Sequence, residues 1–434
     1  MSLLLAVLLA IGSRPPVKAE PVRLTYEGDG TFGGHYRVHG ETRPFHVAHT
    51  YTFDGREVYR LDETLWMGDN RAQAGTETTW VAGPRVLRQV GEGEAARVKE
   101  LEGEEAARVR ERAQAAFASP LAADRVAPPR EQRFTHPRLG DVAERVTYGA
   151  AVSWTGVVAP STLELTRYNG QTSWTATIKL RGAERGEPLA ARYLTVPPLA
   201  PPSAAATAPA GRRVDSLAPH VWAIVLEAED SRSLVVELEE FLVVLETSRD
   251  SAAGEQIVDV LAERFPGKPI RFVLFSHHHP HHAGGLRAFI AAGATVLTTP
   301  GNVPMIEEIA ARRFTITPDR LARNPVAAKV ESFKERRVIE DDTNRLEAID
   351  IGPRTNHTDE YLVFYLPRAR LLFQGDLSWG SQPDGTLRAS PRAAALVRAI
   401  DDQELDVERV VQGWPVVGQK GVLTLEELRA ALAK

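Results

Sequence analysis

The chain has 434 residues, 43% of them hydrophobic and 25% charged, with a formal net charge of −5 and no cysteine. That length exceeds one ordinary core and predicts two domains, while the mild acidity offers no electrostatic footprint for nucleic acid or for a polybasic membrane contact. Without cysteine there are no thiolate zinc sites, iron–sulfur clusters, disulfides or cysteine nucleophiles, so any metal must be held by nitrogen and oxygen.

Leu3 to Ile11 is an apolar run followed by small and turn-forming residues and then Val17-Lys18-Ala19. It is too short to span a bilayer. Residues 1–19 read as a secretory signal cleaved near Ala19, which makes the expected localisation periplasmic or secreted. No transmembrane helix is expected after its removal.

Residues 20–195 form the expected N-terminal domain, rich in β-structure. Strand patterns fall at Val22–Tyr26, Tyr36–His39, Phe45–Phe53, Val58–Met67 and Thr76–Val81, separated by turn pairs such as Asp54-Gly55. An antiparallel meander is the natural reading. From Glu94 to Phe117 the composition predicts a charged, alanine-rich helix, in which Glu-Ala-Ala-Arg-Val occurs at 94–98 and again at 105–109. An offset of eleven residues is about three helical turns, so both copies would face one side. Strands resume after Arg145, with a hairpin at Asn169-Gly170. His35, His39, His46, His49 and His136 sit on alternating patterns and read as surface positions, leaving no catalytic cluster in this half.

Residues 196–211 are rich in Pro, Ala and small polar residues and read as a linker. Beyond it, residues 212–434 change to an αβ pattern. Strands are expected at 221–226, 234–237, 241–246, 270–275, 295–297, 346–351, 361–366, 371–374 and 407–411. Helices are expected at 254–265, 285–292, 303–313, 391–401 and 424–432. Early strands succeed one another and later ones alternate with helices, which suggests two sheets between helical layers. The polar stretch 315–342 reads as an irregular loop on a cleft rim.

Five of the twelve histidines crowd into Ser276-His277-His278-His279-Pro280-His281-His282-Ala283-Gly284-Gly285, between an apolar strand and a helical pattern. Imidazole is the commonest protein metal ligand. His277 and His279, two apart, project to one side of an extended loop, and His282 follows after the turn at Pro280. A third imidazole must come from elsewhere. His357, in a strand-end loop, suits that role better than His220, which lies near the linker and reads as surface. Asp376 ends the next strand as Phe373-Gln374-Gly375-Asp376 and is either a turn cap or a ligand. Beside three histidines, the ligand reading gains.

These three loops, in this order, resemble the metallo-β-lactamase superfamily over roughly residues 212–434. The resemblance implies a C-terminal αββα sandwich; with the antiparallel domain and its long helix read before it, the chain is expected to be α+β. It also implies zinc and hydrolysis of a small-molecule substrate that the sequence does not identify. Mapped by position, His277, His279 and His357 match the first metal site, and His282 and Asp376 match members of the second. His281 stands where the family has an aspartate, and Trp414 where it has a last histidine. Indole N–H has no lone pair to give, so the second site reads as weakened or vacant and one zinc is expected. Water activated on that ion would attack an ester, thioester, lactone, amide or phosphoester, with Asp376 holding it and His281 or His282 acting as base. The alternative is a metal-stabilised binding protein whose catalytic machinery has decayed.

Overall fold

Alternating apolar residues on long strands build the first sheet. The computed structural model describes residues 20–33, 40, 42–54, 57–68, 74–90, 97–118, 129–169, 173–198, 211–380, 387 and 389–433. The predicted signal, the strand Tyr36–His39 with His35, Gly170 and most of the linker lie outside these residues.

In the N-terminal part the strands are β1 (Val22–Gly33), β2 (Thr42–Phe53), β3 (Val58–Trp66), β4 (Gly75–Ala82), β5 (Arg85–Val90) and β6 (Arg97–Glu100). After helix α1 (Gly103–Ala118) come β7 (Arg130–His136), β8 (Gly140–Tyr148), β9 (Ala151–Trp154), β10 (Val157–Pro160), β11 (Thr162–Tyr168) and β12 (Ser173–Arg185), then the short α2 (Pro188–Tyr193). Ten strands form one antiparallel sheet in the order β6-β5-β4-β3-β2-β1-β12-β11-β8-β7, and β9 pairs with β10 apart from it. One face of this sheet carries Leu24, Tyr26, Tyr51, Leu163, Leu165 and Ile178 in a single core, against which α1 sets Ala106 and Val109.

Two expectations are corrected here. The helix expected from Glu94 starts only at Gly103, because residues 97–100 pair with β5 as the sheet's edge. Gly103 takes φ +58°, a left-handed conformation that breaks any continuation from β6 into the helix. The second Glu-Ala-Ala-Arg-Val copy is helical, while Arg97 and Val98 of the first lie in β6. His49 is not a surface residue: it is 2% exposed, 3.0 Å from the Tyr51 hydroxyl and 3.3 Å from Glu63. His136 instead folds inward over its own turn, accepting from the backbone N–H of Arg138 (3.2 Å) and Leu139 (3.3 Å). Burial, followed by the charge of Arg138, lowers its pKa to about 3. His46 is a surface residue as expected, paired with Asp29 at 2.6 Å.

The C-terminal part is a sandwich. Its first sheet runs β13 (Arg212–Ala218), β14 (Val221–Leu226), β15 (Ser231–Glu237), β16 (Leu242–Leu245), β17 (Ile270–Leu274), β18 (Thr295–Thr298) and β19 (Lys329–Ser332), in chain order. Hairpins join the first four antiparallel strands, and from β16 onward the strands are parallel. The crossovers include α3 (Ser251–Arg264), α4 (Pro280–Ala283), α5 (Leu286–Ala291), α6 (Val303–Ala311) and α7 (Arg320–Arg323). The second sheet runs β20 (Arg336–Glu340), β21 (Arg345–Asp350), β22 (Leu362–Leu366), β23 (Leu371–Gln374), β24 (Arg409–Gln412) and β25 (Leu423–Thr424), with α8 (Pro391–Asp402) and α9 (Leu425–Leu432) outside it.

Strand β16, Leu-Val-Val-Leu, shows why the layers stack this way. All four residues are buried, and their side chains alternate between the two faces. Leu242 and Val244 pack under α3 and α5, while Val243 and Leu245 meet Phe364, Leu371 and Phe373 of the other sheet. The second sheet buries Val363, Leu372 and Val410 beneath Leu396 and Ile400 of α8. The stretch 315–342, expected to be an irregular loop, holds α7, β19 and β20, the last two being the outer strands of their sheets. Their charged, largely exposed residues, as in Lys329-Val330-Glu331-Ser332, disguise them as loop; such charges also keep an unpaired edge from recruiting other strands.

The two parts meet through the β7–β8 turn. Arg312 Nη1 donates to the Arg138 carbonyl (2.8 Å), Asp141 N donates to the Arg313 carbonyl (2.6 Å), and the Asp141 carboxylate accepts from Thr315 N at 2.7 Å and Thr315 Oγ1 at 2.6 Å. Gly140, at φ +76°, permits the approach, since a Cβ there would stand 2.3 Å from the Arg313 carbonyl oxygen. Among the described residues, no helix is long and apolar enough to cross a membrane.

Candidate metal centre

The histidine loop leaves the C-terminal end of β17, where open αβ sheets place their ligands. Its first residues are pinned by neighbouring backbone. Leu362 N donates to the Ser276 carbonyl at 2.7 Å, and Ser276 N donates to Glu246 Oε1 at 3.1 Å. Ser276 Oγ lies 2.9 Å from His277 Nδ1, leaving His277 Nε2 to face inward. Pro280 then starts the single turn of α4, which folds the loop back so that His282 is buried beside His277, ring centroids 4.3 Å apart.

The remaining partners arrive from the second sheet. Asn356, at φ +54°, turns the chain ahead of the buried His357. His357 Nε2 stands 3.1 Å from His277 Nε2 and 3.2 Å from Asp376 Oδ2. Asp376 follows β23 and is clamped on both sides: the Tyr361 hydroxyl donates to its Oδ1 at 3.2 Å and accepts from its backbone N at 2.8 Å. Gly375 makes this possible, because a Cβ there would stand 2.3 Å from Ser276 Oγ. Arg392 on α8 brings a guanidinium to 3.6 Å from Asp376 Oδ2.

Of the expected ligands, His277, His279, His357 and Asp376 converge, each offering one donor atom, all within 4.8 Å of one another. His282 adjoins this group without its donor atom joining it. Its Nδ1 donates to Glu246 Oε2 at 3.0 Å, while its Nε2 is buried with no hydrogen-bond partner among the described residues. A buried imidazole nitrogen is costly to leave unsatisfied. An orphaned lone pair beside four converging donors is the donor set a zinc ion takes, and the residues fit such an ion.

Electrostatics point the same way. Burial and then its histidine neighbours drive the His277 pKa well below 6.5, keeping it neutral with a lone pair to give. Burial would raise the Asp376 carboxyl, but the hydrogen bond with His357 and the charges of His282, His357 and Arg392 outweigh it and hold Asp376 ionised. Burial likewise opposes charge on His282, yet the Glu246 carboxylate overcomes it and raises that pKa.

The two departures seen in the sequence meet in space. His281 stacks flat on Trp414, centroids 4.4 Å apart and planes 10° from parallel. Trp414 is set in place where Gly413 N and Trp414 N both donate to the Gly375 carbonyl, at 3.0 and 3.1 Å. His281 makes no hydrogen bond among the described residues, and burial, then His282 and Arg138, lowers its pKa to about 4. Arg138 belongs to the β7–β8 turn, so the N-terminal part reaches the field of this centre, an approach between segments far apart in the chain. His220 lies apart, half exposed and paired with Glu237 at 3.2 Å. Glu246, Tyr361 and Arg392 also went unnoticed in the sequence. Glu246 alone left a trace there, as a carboxylate ending an apolar strand.

A histidine loop and a strand-end aspartate at the edge of an αββα sandwich define a metallo-hydrolase fold with a candidate His/Asp metal site. The sequence model of the metallo-beta-lactamase superfamily matches residues 227–414, and the C-terminal domain of this chain belongs to that superfamily. Similar solved structures include a metallo-beta-lactamase from Pontibacter korlensis, at 17% identity and TM-score 0.37, covering 51% of this chain and 98% of that one. Another is the metallo-beta-lactamase FIM-1 from Pseudomonas aeruginosa in its mono-zinc form, at 19% identity and TM-score 0.38, covering 51% of this chain and 93% of that one. A third is the stereoselective inverting sec-alkylsulfatase Pisa1 from Pseudomonas sp., at 16% identity and TM-score 0.35, covering 51% of this chain and 40% of that one. Among curated proteins none matches this chain.

Proposed function

We propose that this protein is a zinc-dependent hydrolase that works with a single metal ion on a small-molecule ester, thioester, lactone, amide or phosphoester. The observation that carries this reading is the His281–Trp414 stack beside the converged His277, His279, His357 and Asp376. Two independent losses would leave two unrelated side chains. Here the replacements pack against each other and supply an aromatic wall where a second ligand set would stand.

His277, His279 and His357 would hold the ion, with Asp376 and the Nε2 of His282 facing the same space. Zinc bound there acidifies water and polarises the scissile bond. The chain's own residues supply the rest. Asp376, ionised and fixed by Tyr361, accepts a hydrogen bond from the attacking water and orients it. His281, kept neutral by burial and stacked on Trp414, offers a lone pair for the proton released. The same stack bars bulky or charged groups from that side. Export to the periplasm or beyond belongs to this proposal too, resting on residues 1–19.

Turnover on a panel of these substrate classes tests the reading. We expect hydrolysis of at least one class, lost on chelation and restored by zinc. Stable metal binding with no turnover on any member would favour the decayed binding protein instead.

A further inference from the structure

The concave side of the N-terminal sheet is incompletely filled. It borders a half-open pocket of about 470 Å³ lined by Leu24, Tyr26, Val146, Tyr148, Leu163 and Leu165. The volume falls in the range of small-molecule sites.

The lining charges are nearly all spoken for. Glu144 pairs with Arg167, Glu63 with His49 at 3.3 Å, and Glu131 with Arg133 at 2.7 Å, while Glu111 accepts from Gln132 at 2.8 Å. Arg130 is different. It is exposed at the start of β7, the sheet's edge strand, and has no ion-pair or hydrogen-bond partner among the described residues. Its cross-strand partner is Val146, which in turn pairs with Leu165, so register sets all three on the face that bounds the cavity. An apolar chamber thus opens beside two guanidinium groups without ion-pair or hydrogen-bond partners among the described residues, Arg130 and Arg145, of which register sets Arg130 on the face of Val146 and Leu165.

We propose that this cavity binds an amphiphile with a single anionic head, its apolar body on the leucine and tyrosine floor and its head on Arg130. An anionic head is favoured over a cationic one because the lining charges without a partner among the described residues, Arg130 and Arg145, are both positive. The site is separate from the metal centre and does not depend on the hydrolase reading. The β7–β8 hairpin that walls it also carries the turn docked on the C-terminal part.

Calorimetric titration of the full chain with dodecanoate, dodecanol and dodecylammonium tests the proposal. Dodecanoate should bind one molecule per chain, at least tenfold more tightly than dodecylammonium. Arg130→Glu should weaken dodecanoate about tenfold and leave dodecanol unchanged, because it alters the head contact alone. Val146→Trp, which fills the chamber, should abolish binding of both. Because Arg130 is exposed, its variant stays informative even where Val146→Trp fails to fold. No binding of dodecanoate to the native chain, equal binding of the two charged probes, or an Arg130→Glu variant that binds dodecanoate normally would overturn the proposal.

Discussion

Replacing His279 with alanine is expected to lower zinc affinity by more than about 100-fold and to abolish metal-dependent turnover. Partners that merely orient a ligand are worth 10- to 100-fold in affinity, so loss of a ligand must exceed that. His279 is the most informative choice because it alone of the converged four is not buried. Removing His277, which is fully buried against Tyr361 and Ser276, would disturb packing as well as ligation. Melting of the metal-free His279→Ala protein should match that of the metal-free native chain, which separates loss of ligation from loss of fold. Equilibrium dialysis against zinc reads the affinity directly. Retained tight binding of zinc by this variant would place the ion elsewhere.

The second large effect concerns stability. Arg287 and Asp319 form a buried pair joined by two hydrogen bonds of 2.6 and 3.0 Å, with side chains only 3% and 6% exposed. Arg287 also caps the end of α6 by donating to the carbonyls of Ile309, Ala310 and Arg312 at 2.9–3.0 Å, and lies over the Phe314 ring. Breaking such a pair from one side leaves an uncompensated charge in the interior and costs about 3–5 kcal/mol. Arg287→Ala should therefore lower the melting temperature of the C-terminal part by on the order of 10 °C. Replacing both partners with apolar residues should recover part of this loss, but the orphaned α6 carbonyls prevent full recovery.

This pair also sets a pH dependence. Burial raises the Asp319 carboxyl, yet the hydrogen bonds from Arg287, Ser251 and Ala322 N outweigh it and lower its pKa below the ordinary 3.8. A carboxylate depressed in the folded state contributes stability that is present above its unfolded value. That contribution is lost as pH falls through the lower, folded value. The native chain should lose it below about pH 4, whereas Arg287→Ala should show a weaker acid dependence in the same window. Melting curves between pH 2 and 6 read both.

Much of the C-terminal fold was legible because its signals are local. Leu371–Gln374 reads as a strand from four residues alone, and Pro391 with the Ser390 cap marks where α8 begins. The metal loop announced itself through composition. What stayed hidden depends on partners distant in sequence. Glu246 matters because it receives both Ser276 N and His282 Nδ1, thirty and more residues onward. Arg392 matters because α8 packs its first turn toward Asp376. That His281 and Trp414 form one unit could not be read from positions more than a hundred residues apart. In the N-terminal part β7 and the first residues of β8 are hard to read because charged residues interrupt their alternation, and the strand pattern shows only after Arg145. The sheet that buries one face of them was not visible from any single segment.

The claim that most needs a direct test is the single-ion centre completed by an aromatic stack. Zinc per chain, measured by elemental analysis on protein purified without added metal, decides it. One equivalent is predicted for the native chain and two for the variant carrying both His281→Asp and Trp414→His, which restores a carboxylate and an imidazole in place of the stack. Two equivalents in the native chain, or none, would contradict it.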